Sequence, residues 1–282
     1  GLWLIARVLA RGRIQDGIIA FVIAAVSLGT GLLYYTVITP AMSHVYGFAA
    51  VAWSVFEAQS LWTRRSQSSQ RLAIALAVMV LVRPTLGLVL LMLPAVALIS
   101  AGTWQHALRA KPIILSIALG MAVLFIQPLL WKLQCGEWFV DGYAGEGFNW
   151  SNPRHWSVLF GARKGFFYYW PVMLLMLPAL GWGLWRHARS AIPITVGLLA
   201  SAYVISAWWN WYYGHGYGMR PLIDLMPVCA LLIAAWLNAL TRTMRIALMA
   251  ASAPLIALQL FQTWQYQVGI IHPFNMDREK HA

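Results

Sequence analysis

Arg163-Lys164-Gly165 stands just before the aromatic run Tyr168-Tyr169-Trp170-Pro171. Two cations beside a glycine offer positive charge and free backbone amides together, a combination that can hold a phosphate. Unspecific attraction of lipid headgroups would use the same pair. Further on, Trp208-Trp209-Asn210-Trp211-Tyr212-Tyr213 leads into Gly214-His215-Gly216-Tyr217-Gly218-Met219-Arg220-Pro221, with Asp224 following. Alternating glycines permit backbone geometry closed to other residues and a close approach to a ligand. The spacing is not a dinucleotide fingerprint, because no strand precedes it. Arg220 and Asp224, four apart at a helix start, can pair on one face; they can also position a phosphate and a sugar hydroxyl. After Pro40, Ser43 reads as a helix N-cap. His44 then falls in the first turn, where its ring could donate to a phosphate or a hydroxyl; a lone histidine at a helix start is more often a cap or an interfacial residue. Asp141 and Glu146 are carboxylates able to take a proton from a hydroxyl, yet nothing in their spacing assigns a catalytic base.

The elements that must position these residues follow from composition. Lys and Arg number 20 and Asp and Glu 8, while 61% of the 282 residues are hydrophobic. A water-soluble surface needs roughly 25% charged residues, so the mean hydropathy of +0.67 points to a polytopic all-α membrane protein. Cys135 and Cys229 are too few and too far apart for a zinc site or a redox pair and read as packing residues. The net charge of +12 sits in short clusters without a nucleic-acid recognition motif, so no nucleic acid is expected as a partner. About eight membrane segments are expected, at 17–38, 45–61, 72–100, 112–131, 170–185, 192–209, 222–240 and 246–265, each near the ~20 residues that a bilayer requires.

Basic loops stay cytoplasmic. The clusters Arg7 to Arg13, Arg64 to Arg71, Arg109-Lys111, Arg186-Arg189 and Arg242-Arg245 share one side in this scheme, with Asp16 as its single acid. The connections 39–44, 132–169, 210–221 and 266–282 fall on the other, extracytoplasmic side. Segment 72–100 has cytoplasmic charge at both ends, so it must enter and return. Pro84 breaks helix at Arg83, which gives a broken or re-entrant pair with Arg83 at membrane depth, as a ligand for an anion or a bridge to helix-end carbonyls. Ser43, Gly47, Ala50, Ser54 and Glu57 form a stripe suited to close helix packing, with Glu57 placed to snorkel or to pair with Arg64 or Arg65. The aromatic residues of the long loop 132–169 suit an interfacial belt or platforms for sugar rings. The short stub Gly1 to Leu9 suggests that 1–282 is a single transmembrane domain forming the later part of a longer protein.

Together, the run from Trp208 to Pro227, the segment from Phe160 to Pro171, the turn from Pro40 to His44 and the break Val82-Arg83-Pro84-Thr85 resemble the later part of bacterial GT-C-type integral membrane glycosyltransferases. Those enzymes are relatives of the protein mannosyltransferases and the aminoarabinose transferase. The resemblance implies a polyprenyl-phosphate-linked sugar as donor, a glycan, lipid or protein as acceptor, and transfer at the extracytoplasmic face of the bacterial inner membrane. By this likeness Arg163, Lys164 and Arg220 would stabilise charge on the departing lipid phosphate. His44, His215 and Asp224 would orient sugar or acceptor hydroxyls, and Trp209, Trp211 and Tyr217 would stack against a sugar or the isoprenoid. The family's catalytic acid lies in its first extracytoplasmic loop, which this chain starts too late to contain. No cofactor is assigned, and a divalent metal is left open. A polymerase, ligase or flippase for the same lipids would also carry outer arginines, whereas a transporter would show inverted repeats, and none is visible. A non-catalytic membrane subunit is a further alternative.

Overall fold

The computed structural model describes residues 1–63, 68–101, 110–143, 145–272, 274 and 276. Arg64, Arg65 and Arg109 lie outside the described residues. The described chain is helical apart from its connections, with a single isolated bridge pairing Phe148 and Trp208. The first helices are α1 (Leu2–Arg11), α2 (Asp16–Leu28), α3 (Leu32–Val37), α4 (Ser43–Trp62) and α5 (Ser68–Val82). A 3-10 helix, Pro84–Leu98, precedes α6 (Ala110–Leu124) and α7 (Ile126–Cys135). Short helices α8 (His155–Phe160) and α9 (Phe166–Tyr169) lead through the 3-10 turn Pro171–Leu175 into α10 (Met176–Arg186). Then come α11 (Ala188–Ala207), the 3-10 segment Arg220–Leu225, α12 (Met226–Ala239) and α13 (Arg242–Gln267).

Four helices among the described residues are long and apolar enough to cross a membrane: Ile113–Cys135, Ala188–Ala207, Arg220–Ala239 and Arg242–Gln267. This fits an all-α membrane protein but corrects the expected eight segments. The other four are interrupted or diluted for identifiable reasons. Segment 17–38 is divided between α2 and α3 around Gly29 to Gly31, and 170–185 is divided between the 3-10 turn Pro171–Leu175 and α10. Segment 45–61 is one long helix, α4, but carries Glu57, Gln59 and Ser60 in its last turns. Segment 72–100 breaks at Arg83, whose extended backbone (φ −157°, ψ 114°) separates α5 from the 3-10 helix. The stub at the start is itself helical, as α1, and buries Ile5, Val8 and Leu9.

The arms of that break run along α4 and do not meet halfway down it. Arg83 reaches His44 in the first turn of α4, whereas Ser100, beyond the second arm, bonds to Gln59 and Trp62 in the last turns. Arg83 therefore sits at the His44 end of the bundle and not beside the middle of α4. Proline accounts for the form of the second arm. Pro84 starts it and Pro94 lies inside it, and a 3-10 rise of about 2.0 Å per residue carries the chain farther than an α-helix rising about 1.5 Å.

The helix at the centre is α12, continuous with Arg220–Leu225. Its apolar window is 89% buried, against 6% for Ile113–Cys135 and 11% for Arg242–Gln267, so the latter two present apolar faces outward. Four residues of the α4 stripe, Gly47, Ala50, Ser54 and Glu57, are buried, whereas Ser43 at its start is exposed. Glu57 pairs with Arg71 at 3.3 Å. Ser43 is the first helical residue and not the N-cap, which is Met42 with no side-chain bond. Cys229 is buried, but Cys135, expected as a packing residue, is exposed where α7 ends.

At the end of the bundle marked by His44, the fully buried Trp170 fits against two glycines. A Cβ at Gly31 would lie 2.8 Å from its indole, and one at Gly218, where φ is +60°, would lie 3.2 Å from it. Strain and overpacking act together at the second position. Gly218→Ala should destabilise the fold by about 1–3 kcal/mol, read as a lower melting temperature in detergent. Gly17→Ala, where a Cβ would meet nothing within 4 Å, should leave the melting temperature unchanged, and equal behaviour of the two variants would refute this account.

Candidate functional site

The connections 39–44, 132–169 and 208–219 converge on one another, and Phe274 of the tail joins them. The Asn149 amide bonds to the Ala207 carbonyl at 2.6 Å, Arg154 to Ser206 at 2.9 Å and Trp209 to Gly147 at 3.0 Å, while Phe274 packs on the His215 ring at 5.5 Å. The long loop is shorter than the sequence suggests, because α7 continues to Cys135 and α8 and α9 take up its second half.

Asp224 lies at the centre of one half of the site and is fully buried. Its Oδ2 accepts from Arg83 at 2.6 Å, with His44 Nδ1 3.4 Å away. The expected Arg220–Asp224 pair does not form. The segment Arg220–Leu225 is a 3-10 helix, in which residues three apart eclipse and residues four apart point about 120° away from each other. Arg220 turns instead to the His215 carbonyl at 2.9 Å and the Met42 sulfur at 3.4 Å. Gly47 is what admits the Asp224 side chain, since a Cβ there would stand 2.6 Å from Oδ1.

The other half is built on the Gly216–Tyr217 peptide, which is held at both its polar groups. The buried Lys164 ammonium donates to the Gly216 carbonyl, and the Tyr217 amide donates to the Tyr35 hydroxyl at 2.7 Å. That hydroxyl donates in turn to the Tyr217 carbonyl at 2.9 Å. A Cβ at residue 216 would crowd the Tyr35 hydroxyl at 2.8 Å and Arg220 at 3.3 Å, which explains a glycine here. Gly214 and Gly218 have φ of +63° and +60°, and Tyr213 shares the left-handed region at +56°. For a tyrosine this conformation is strained, the kind of cost that persists only where the surroundings enforce it. Arg163 lies over the Tyr212 ring at 3.5 Å, with Trp211 at 5.8 Å. The Nε atoms of Arg163 and Arg220 are enclosed without a partner, so both guanidiniums keep donors to spare.

Of the residues singled out in the sequence, the site gathers His44, Arg163, Lys164, Trp211, His215, Arg220 and Asp224. Trp209 is half exposed on the same connection. Tyr217 is placed differently: its ring is enclosed by Tyr34, Tyr169 and Tyr266, with centroids 5.7, 5.3 and 5.2 Å away. Its faces are given to protein and not to a sugar or isoprenoid, which corrects the expected stacking role. Asp141 is exposed and accepts from the Tyr143 amide at 2.9 Å. Three residues carry more of the site than spacing alone suggests. Arg83 had a visible signal, a charge in an apolar run before proline, but its partner was hidden; Gly47 was marked only by its place in the small-residue stripe of α4, and nothing in the sequence linked Tyr35 to the Gly216–Tyr217 peptide.

Electrostatically the site is lopsided. Among the described residues, Arg83 pairs with the carboxylate Asp224, whereas Arg163, Lys164 and Arg220 have no carboxylate paired to them and meet neutral groups. No group of three His, Cys, Asp or Glu side chains able to hold a metal ion occurs among the described residues. His44 and Asp224 would supply two donors, but the guanidinium on Oδ2 already fills the cation's place, so this pair does not fit a divalent metal. No family model, curated protein or solved structure matches the chain.

Burial pushes the Lys164 ammonium down to about 7, and Arg220 and Arg163 add to the shift. The folded protein thus releases this proton near pH 7, whereas the unfolded chain keeps it up to the ordinary 10.5. Between those limits the unfolded state binds more protons, so stability rises with pH. The melting temperature should climb from about pH 7 upward in the parent protein and climb less in Lys164→Met. Identical slopes in the two would show that Lys164 is not the titrating group.

Proposed function

We propose that this chain forms part of a membrane glycosyltransferase that moves a sugar from a polyprenyl-phosphate donor to a glycan, lipid or protein acceptor, at the extracytoplasmic face of a bacterial cytoplasmic membrane. One observation carries the reading: Arg163, Lys164 and Arg220 gather around the Gly216 peptide with no carboxylate paired to them among the described residues, which also include four helices apolar enough to span a bilayer. Buried positive charge without a counter-ion favours an anionic ligand. A phosphate on a lipid is the anion that arrives at the end of such helices. In the transfer, the bond between the sugar's anomeric carbon and the phosphate oxygen breaks. The acceptor hydroxyl oxygen bonds to that carbon, its proton passes to a base, and the phosphate leaves as an anion. Arg163 and Arg220, together with Lys164 in its protonated form, which a bound anion favours, stabilise the charge that grows on the leaving phosphate. Trp209, Trp211 and His215 border the same connection and would meet the sugar or the acceptor. No residue described here is assigned as the base.

The reading is tested in liposomes containing a polyprenyl-phosphate sugar, by following acceptor-dependent release of free polyprenyl phosphate. Arg220→Ala should lower the rate by about 10²–10³-fold, the usual cost of one oxyanion-stabilising donor, with the melting temperature close to that of the parent. No release from well-folded protein with any common lipid-linked sugar would move the reading to a transporter or a non-catalytic subunit.

A further inference from the structure

We propose that Arg83 is a positioning residue that holds His44 as the neutral tautomer protonated on Nε2, so that His44 acts as a hydrogen-bond donor and not as a base. The Arg83 Nη1 atom lies 2.6 Å from Asp224 Oδ2 and 2.5 Å from His44 Nδ1. A guanidinium has donors only, and Nη1 carries two hydrogens, one for each neighbour. His44 Nδ1 must then present its lone pair. A proton on Nδ1 would face the Arg83 N–H head to head, and an imidazolium would set a second positive charge against the guanidinium. The ring proton therefore sits on Nε2. Asp224 does not compete for it, because Oδ2 is 3.4 Å from Nδ1, beyond the 2.7–2.9 Å typical of a charge-assisted bond.

The geometry of the surrounding chain keeps this arrangement in place. His44 opens α4, Arg83 joins α5 to the 3-10 helix, and Asp224 lies just before α12, so three separately anchored elements meet in the triad. Asp224 is fully buried and the His44 side chain only 7% exposed. The cavity beside Arg83, Thr85 and Asp224 is about 20 Å³, too small for any ligand to part the pair from that side. Among the described residues Nε2 makes no hydrogen bond to protein, which leaves it as the ring's outward donor. The tautomer follows from the triad alone. Its use, donation to an oxygen of the sugar or acceptor, rests on the glycosyltransferase reading.

Nitrogen NMR of the full chain labelled with ¹⁵N-histidine, in lipid nanodiscs, reads the tautomer directly, with His44→Asn identifying the signals. We expect one protonated nitrogen, Nε2, and one bare nitrogen, Nδ1. In Arg83→Met the proton should move to Nδ1, where Asp224 can accept it, and Arg83→Lys, which keeps a donor, should preserve the Nε2 form. A protonated Nδ1 in the parent protein, alone or in an imidazolium, would overturn the proposal even if both Arg83 variants fail to fold. In the polyprenyl phosphate release assay, His44→Gln, whose amide can reach the place of Nε2, should stay within about 10-fold of the parent, while His44→Asn falls by roughly 10²-fold. Equal loss in both would overturn the donor role. Absence of turnover in the parent, with the Nε2 tautomer present, would reject the glycosyltransferase reading and leave the assignment of Arg83 supported.

Discussion

The structure depends on one buried carboxylate. Asp224 has no exposed surface, and an isolated charge in such a place is expensive enough that it must be paired or neutralised. Its pairing with Arg83 sets the requirements on the rest of the fold. The chain between Val82 and Pro84 must be extended so that the guanidinium can reach inward, residue 47 must be a glycine, and α4 must begin within reach at His44. Replacing such a pair with apolar residues often costs little, whereas removing one partner leaves an uncompensated charge. The contact is better understood as fixing where three elements meet than as a net source of stability.

That pairing also determines which cations remain available. With Asp224 committed to Arg83, no carboxylate among the described residues pairs with Arg163, Lys164 or Arg220. Protein groups satisfy them only in part: a carbonyl takes Lys164, a carbonyl and a sulfur take Arg220, and the Tyr212 ring takes Arg163. Each of these is a neutral partner. Neutral partners orient a cation without cancelling its charge, so the field of the site stays positive; burial is the main cause of the depressed titration of Lys164, and Arg220 and Arg163 deepen it.

Much of the membrane character was legible in the sequence because it depends on composition and run length, which survive any detail of packing. The four longest apolar helices fall on 112–131, 192–209, 222–240 and 246–265 as expected. The remaining segments were misjudged because hydropathy does not register where a glycine or a 3-10 turn divides a run, as at Gly29 to Gly31 and Pro171–Leu175. In the site, the residue types were legible and their partners were not. Arg163-Lys164 and the glycine run marked the right connections, since unusual composition is local. The pairing of Arg83 with Asp224 spans 141 positions, and no periodicity links residues so far apart. Tyr217 failed as a stacking residue for a related reason: its burial is decided by Tyr34, Tyr169 and Tyr266, which come from three other elements.

The 3-10 form of Arg220–Leu225 resolves whether Arg220 and Asp224 pair with each other. In an α-helix Arg220 and Asp224 would lie on one face and neutralise each other. Arg83 would then lose its carboxylate, and an arginine at the end of a buried hairpin would need another anion. Tightening this segment to three residues per turn rotates Asp224 inward and leaves Arg220 beside the Gly216 peptide. Pro221 is the second residue of the segment; it lacks an amide hydrogen, which costs nothing in a first turn. The anion-binding half of the site and the buried triad are thus separated by the phase of a single turn, and each would compromise the other if that turn were α-helical.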